Sequence, residues 1–95
     1  MSKVFKFRGE VWRWPGQSGW HFVNLPKSIS EKIKKECKPH GFGFIKTEAK
    51  LGGSVWMTAL FPDKKSGTFL LSIKAKIRKT ECIWESDKVN ITIKV

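Results

Sequence analysis

Residues 45–61 read Ile-Lys-Thr-Glu-Ala-Lys-Leu-Gly-Gly-Ser-Val-Trp-Met-Thr-Ala-Leu-Phe, and their alternation decides the fold class. Ile45, Thr47, Ala49 and Leu51 take every second position against Lys46, Glu48 and Lys50, the pattern of a strand that faces water on one side. Gly52-Gly53 supplies a tight two-residue turn. Beyond it Val55, Met57, Ala59 and Phe61 alternate with Trp56, Thr58 and Leu60, so the return strand is apolar on both faces and is expected to lie centrally.

The same period extends in both directions. Lys3 to Arg8 alternates polar with apolar, with Phe5 and Phe7 inward; Gly9 predicts a bulge, because Trp12 and Trp14 then fall on the opposite parity. Pro15-Gly16-Gln17-Ser18-Gly19 is turn chemistry, and Trp20 to Leu25 forms a strand that ends at Pro26. Ser28-Ile29-Ser30-Glu31 matches a capping box with Ser28 as N-cap. Ile29, Ile33 and Cys37 then make one narrow apolar stripe, and Pro39-His40-Gly41 stops the helix. Thr68 to Ile73 is a further strand, and the lysine-rich Lys74 to Lys79 can form a helical turn or two. Val89, Ile91, Ile93 and Val95 alternate cleanly with Asn90, Thr92 and Lys94. The expected fold is mostly β: a small split β-barrel with one capping helix at about residues 29–38 and a second short helical turn at about 74–80. Closing the sheet removes edges that would otherwise pair with other chains.

Ninety-five residues suit a single domain spanning 1–95. Seven Phe and five Trp argue for a folded core despite a net charge of +11. Basic side chains are spread along the chain without forming a tail, so the charge belongs to a folded body that attracts polyanions such as nucleic acid or anionic membrane surfaces. A lysine-rich surface kept for solubility is the plainer alternative, and Lys far outnumbers Arg, the commoner base reader. Two cysteines, Cys37 and Cys82, make no disulfide framework, and no apolar run is long enough for a signal peptide or membrane span, so the expected setting is the reducing cytoplasm.

Catalytic chemistry lacks its second halves. Cys37 and His40 have the spacing of one zinc ligand pair, but no second pair accompanies them. The eight acids are scattered singly among lysines, Gly52-Gly53 lacks a following Lys-Ser or Lys-Thr, and neither thiol carries a nucleophile signature. The expectation is a protein that is not an enzyme and needs no metal or cofactor.

What remains is aromatics among bases. Trp12-Arg13-Trp14 sets a guanidinium between two indoles, and Trp56 and Trp84 are further candidates. Trp20 and Trp56 are expected in the core. Trp12 and Trp14 have two settings open to them, the core or an exposed platform on which bases stack in a basic groove. Lys74-Ala75-Lys76-Ile77-Arg78-Lys79 is the densest basic run; on a helix Ile77 faces in, and Lys74 and Arg78 share a face. The candidate nucleic-acid-binding residues are therefore Trp12, Arg13, Trp14, Lys74, Lys76, Arg78 and Lys79. The alternatives are a small-molecule or peptide-binding barrel with a Trp-lined cleft, and an accessory protein-interaction domain carrying an exposed apolar patch.

Trp20-His21-Phe22-Val23-Asn24-Leu25-Pro26, Leu51-Gly52-Gly53-Ser54-Val55-Trp56-Met57-Thr58, Leu60-Phe61-Pro62, Lys74 to Lys79 and Ser86-Asp87-Lys88-Val89 follow one another in a suggestive order. In order and spacing they resemble an uncharacterised family of small barrels, a domain of unknown function sometimes joined to OmpD-associated segments. The resemblance implies a split barrel capped by short helices and no established activity. The chain departs from it at Leu71-Ser72, where the family usually has Leu-Pro, and at Ser86-Asp87, where it usually has Gly-Asp. The C-terminal half, through Leu71-Ser72-Ile73-Lys74, Ile77-Arg78-Lys79 and Ser86 to Val89, also resembles the swapped-hairpin barrel of AbrB-type and MazE-type transcription factors and antitoxins. In that comparison Arg78 belongs to the short connecting helix, so no base contact is implied for it. Phe22-Val23-Asn24-Leu25-Pro26-Lys27-Ser28-Ile29 echoes the pattern half a chain earlier, as though one chain repeated a hairpin to mimic a dimer.

Overall fold

Alternating side chains dictate the sheet, and the sheet closes on itself. The structure is a computed structural model that describes residues 3–37 and 43–95. Within those residues the chain forms strand β1 (Val4–Arg13), strand β2 (His21–Asn24), helix α1 (Lys27–Glu36), strand β3 (Ile45–Leu51), strand β4 (Ser54–Asp63), strand β5 (Thr68–Ser72), helix α2 (Ala75–Glu81) and strand β6 (Lys88–Lys94). Every ladder is antiparallel, and the order β1-β2-β5-β4-β3-β6 makes a closed barrel. The mostly β barrel with two short helices expected from the sequence is the fold observed.

The interior is filled by one row from each strand. Val11, Val23, Leu60, Leu71, Ile91 and Ile93 are fully enclosed, with Leu25, Ile73 and Ile33 closing over them. On β3 and β6 the rows Ile45, Thr47, Ala49, Leu51 and Val89, Ile91, Ile93 point in, as their alternation requires. The inward hydroxyl of Thr47 donates to the Lys94 carbonyl at 3.0 Å, which offsets the cost of burying it. Gly52, with φ of 60°, takes the first central position of the β3–β4 hairpin, and a Cβ there would overlap the Glu81 carboxylate. That carboxylate instead accepts a hydrogen bond from Ser54 at 2.6 Å, tying the end of α2 to the hairpin.

Three local expectations are corrected. Gly9 is not a bulge: the β1–β6 register runs unbroken from Val4↔Lys94 to Glu10↔Lys88. Gly9 is an inward position occupied by its neighbour, because a Cβ there would overlap Val23 Cγ1. Trp12 needs no parity switch; it lies on the outer face because even-numbered residues of β1 do. The Ser28 capping box does not form, since α1 starts earlier, with Pro26 as its N-cap and no side-chain cap bond. Proline fixes φ and is well suited to a helix start, and the Ser30 amide already donates to the Pro26 carbonyl at 2.9 Å. The stop expected at Pro39-His40-Gly41 lies outside the described residues. Finally, β4 is apolar on both faces, but only Trp56 and Leu60 are buried; Val55, Met57 and Phe61 stay exposed because no second layer covers the barrel wall.

The echo between the halves has a structural counterpart. Each half runs strand, strand, helix, strand, and β1-β2 corresponds to β4-β5 as β3-β4 does to β6-β1. Val23 and Leu71, equivalent in this scheme, are direct partners across β2 and β5. The same shift carries Leu25 onto Ile73, Pro26 onto Lys74 (the two helix N-caps) and Ile29 onto Ile77. It also carries the Leu25 N–H···Phe69 carbonyl bond onto the Ile73 N–H···His21 carbonyl bond, both 2.9 Å. This duplication is a property of the chain itself; kinship with AbrB-type or MazE-type factors is not shown.

Two outcomes follow for stability. Gly9→Ala should lower the unfolding free energy by about 1–3 kcal/mol, the cost of overpacking, measured by urea denaturation. Ser86 has φ of 77°, in a turn closed by the Asp87 N–H to the Trp84 carbonyl at 3.1 Å. This is the third turn position that favours glycine in type II turns, so Ser86→Gly should stabilise by about 1 kcal/mol and raise Tm by several degrees.

Candidate functional site

The hairpin formed by β1 and β2 ends in a loop at residues 14–20, and strand parity gives its tip two unlike faces. Trp12, Trp14, Trp20 and Phe22 fall on the outer face; Arg13 and His21, direct partners in the ladder, fall on the other. The tripeptide Trp12-Arg13-Trp14 therefore does not sandwich its guanidinium, because neighbours along a strand point apart.

Phe22 is the hub of the outer face. Its ring centroid lies 5.3 Å from that of Trp12, 6.0 Å from Trp14 in an edge-on arrangement, and 6.0 Å from Trp20 in a near-parallel stack. Trp12 is half-buried and anchored: its Nε1–H donates to Asn24 Oδ1 at 2.6 Å, and the Asn24 amide donates in turn to Ser66 and Thr68. Trp14 and Trp20 are 49% and 55% exposed, so the core position expected for Trp20 is corrected, whereas Trp56 is buried as expected. Trp14, Ser18, Trp20, Phe22, Phe61 and Leu70 line a groove of about 440 Å³ with almost no polar surface. Val55 and Met57 on the same strand as Phe61 add to the apolar outer wall.

On the other face the hairpin meets α2. Arg13, His21, Arg78, Lys79, Trp84 and Glu85 are among the residues lining a second pocket of about 600 Å³. Arg78 is held by its backbone surroundings: Nε–H donates to the Ile73 carbonyl at 3.1 Å and Nη2 to the Gly19 carbonyl at 3.5 Å. Arg13 Nη2 donates to the Gly16 carbonyl at 3.0 Å. Each guanidinium keeps three or more donor hydrogens free for a ligand. Neither arginine nor Lys79 forms an ion pair among the described residues. The His21 Nδ1–H donates to the Gly19 carbonyl at 2.7 Å, which leaves Nε2 as the free ring nitrogen. Trp84 is 74% exposed, and its backbone N–H donates to the Asp87 carboxylate at 2.8 Å, which holds the turn that presents it.

Of the seven candidate residues, the fold thus gathers Arg13, Arg78 and Lys79 in one pocket. Trp12 and Trp14 join the aromatic face instead. Lys74 and Lys76 are exposed on and beside α2 without lining the pocket, while Ile77 turns in as expected. Sequence reasoning missed His21, Phe22, Phe61 and Leu70. Parity was the available signal: with Val23 and Leu25 inward, Trp20 and Phe22 must face out. Among the described residues no cluster of His, Cys, Asp or Glu could hold a metal ion, Cys37 and Cys82 are free thiols, and no helix is long and apolar enough to cross a membrane.

These features define a small closed β-barrel with an aromatic wall and a basic end. The chain belongs to the family described as a domain of unknown function, DUF1905, whose model matches residues 7–93. No curated protein matches it.

The exposure of the indoles is directly measurable. Trp14, Trp20 and Trp84 should dominate a red-shifted emission open to acrylamide, and Trp84→Phe should remove the most quenchable component while leaving the Trp56 contribution in place.

Proposed function

We propose that this chain is a non-enzymatic binding module for single-stranded nucleic acid. The observation that carries the reading is the two-faced tip of the β1–β2 hairpin. One face offers the Trp14 and Trp20 indoles as stacking surfaces; the other turns Arg13 toward Arg78 and Lys79. Stacking platforms beside cationic groups are what a single strand requires, bases on one and phosphates on the other. A net charge of +11 adds long-range attraction for the polyanion. Lys74 and Lys76 lie along the approach to α2 and supply further phosphate contacts. Phosphate contacts carry no sequence information, and stacking suits every base, so the expected binding has little sequence preference.

A second reading has its own support: the groove lined by Trp14, Trp20, Phe22, Phe61 and Leu70 is nearly free of polar groups and suits an apolar ring or side chain of a small molecule or peptide. Salt separates the two. Strand binding through three or four phosphates should weaken with salt with a log–log slope of about −2 to −3, whereas an apolar occupant of the groove should bind almost independently of salt. Trp14→Ala and Trp20→Ala should each cost about 1–3 kcal/mol of strand binding, and Lys74→Gln with Lys76→Gln should reduce the salt slope. The check is titration of an unstructured decamer of thymidine across a salt series. Absence of binding at low salt rejects the nucleic-acid reading.

A further inference from the structure

The internal duplication provides a built-in comparison for the pocket beneath α2. The shift that relates the two halves carries His21 onto Phe69, and it carries Ser30 and Glu31 onto Arg78 and Lys79. At the α1 end of the barrel the corresponding place is packed shut: Phe69 and Ser30 are buried, and Ser30 Oγ accepts the Phe69 N–H at 3.1 Å. At the α2 end the equivalent positions hold His21, Arg78 and Lys79 around an open volume of about 600 Å³. Barrel closure does not require a cavity there, since the other half closes the same geometry with a serine and a phenylalanine.

The contents of the open end specify a charge and a shape. Three cations, Arg13, Arg78 and Lys79, face one carboxylate, Glu85, which leaves two positive charges. That excess matches a phosphomonoester, whose charge near neutral pH is about −1.5 to −2, better than the single charge of an internal phosphodiester. Both guanidinium groups are fixed by backbone carbonyls with donors to spare, so they are pre-organised for phosphate oxygens. The exposed Trp84 indole lies on the rim, where an attached base can stack. The volume falls within the usual range for small-ligand pockets.

We infer that the pocket between α2 and the β1–β2 hairpin is a nucleotide site that takes a nucleoside phosphomonoester, free or as the phosphorylated end of a strand. The strand-end form rests on the nucleic-acid reading above; the free form does not.

Calorimetric titration of the full chain with three probes tests it: thymidine monophosphate, a thymidine decamer with hydroxyl ends, and the same decamer phosphorylated at both ends. The expected result is at least about fivefold tighter binding of the phosphorylated decamer, with the monophosphate competing for that gain. Arg13→Gln and Lys79→Gln should each erase most of the difference. Arg78→Gln should do so too, and the first two variants keep the test valid if Arg78→Gln fails to fold. Cys82, an exposed free thiol on the pocket wall, gives an independent readout: the monophosphate should slow its alkylation and not be affected by Trp14→Ala. Monophosphate binding without any strand binding would support the pocket and reject the strand reading. Equal affinity for the two decamers with no binding of the monophosphate would overturn the inference while leaving the strand reading intact, and no binding of any probe would overturn both.

Discussion

The barrel depends on the short antiparallel pairing between β2 and β5. Those two strands are the shortest in the ring, yet they join the halves of the chain at Val23↔Leu71. Without that ladder the ring opens into a single six-stranded sheet with β2 and β5 as exposed edges, a state that invites pairing with other chains. The pairing extends past the strands proper through the Leu25 and Ile73 amides, which bond to Phe69 and His21 carbonyls. Each helix then leaves from the end of one of these strands, and because the strands run antiparallel, α1 and α2 sit at opposite ends. One ladder thereby sets the position of both caps. It is also non-local in sequence, as are the β3–β6 ladder and the β1–β6 ladder that joins the ends of the chain, so folding must meet several large loop-closure costs before the core rewards them.

Two equivalent caps free one of them for other use. The α1 end has the chemistry of a lid: Ile33 is fully enclosed, Ser30 satisfies a backbone amide, Lys34 donates to the Gly67 carbonyl at 3.2 Å, and Lys32 and Lys35 are exposed. The α2 end packs through Ile73, Ile77 and Ile83, and the pocket beside it is lined in part by Arg78, Lys79 and the rim residue Trp84. A guanidinium near the interior is costly unless it is hydrogen-bonded, and Arg78 offsets part of that cost by bonding the carbonyls of Ile73 and Gly19, its remaining donors facing the open pocket. The Gly19 carbonyl belongs to the hairpin loop and also accepts from His21, so the loop that shapes the aromatic face helps hold the cationic one.

Much of the fold was legible because period and burial agree. The β3–β4 hairpin and β6 follow their alternation residue by residue, and Ile29, Ile33 and Cys37 pack as one stripe. Misreadings arose where size competed with parity. Trp20 is large and apolar, which argues for the core, but it is two residues from Phe22 and three from Val23; only one of those rows can point inward, and the smaller β-branched residue does. Gly9 was misread for a related reason: its missing side chain makes room for Val23 across the barrel, a relation that exists only once β1 and β2 are paired. The site was half legible. Composition identified Arg13, Arg78 and Lys79, but their convergence, together with the separation of Arg13 from its flanking indoles, follows from tertiary pairing that no local pattern encodes.

The coexistence of a bare aromatic wall and a high net charge has a physical logic. An apolar face that includes Trp20, Phe61, Val55 and Met57 would ordinarily promote self-association. Two features of this molecule oppose that. The ring of ladders leaves no strand edge to propagate a sheet, and like charge on every copy raises the cost of bringing two together. The repulsion is strongest between copies and reverses sign for an anionic partner. The same charge raises the cost of bringing the indoles of two copies together, so a bare aromatic wall and a high net charge are physically compatible in one molecule.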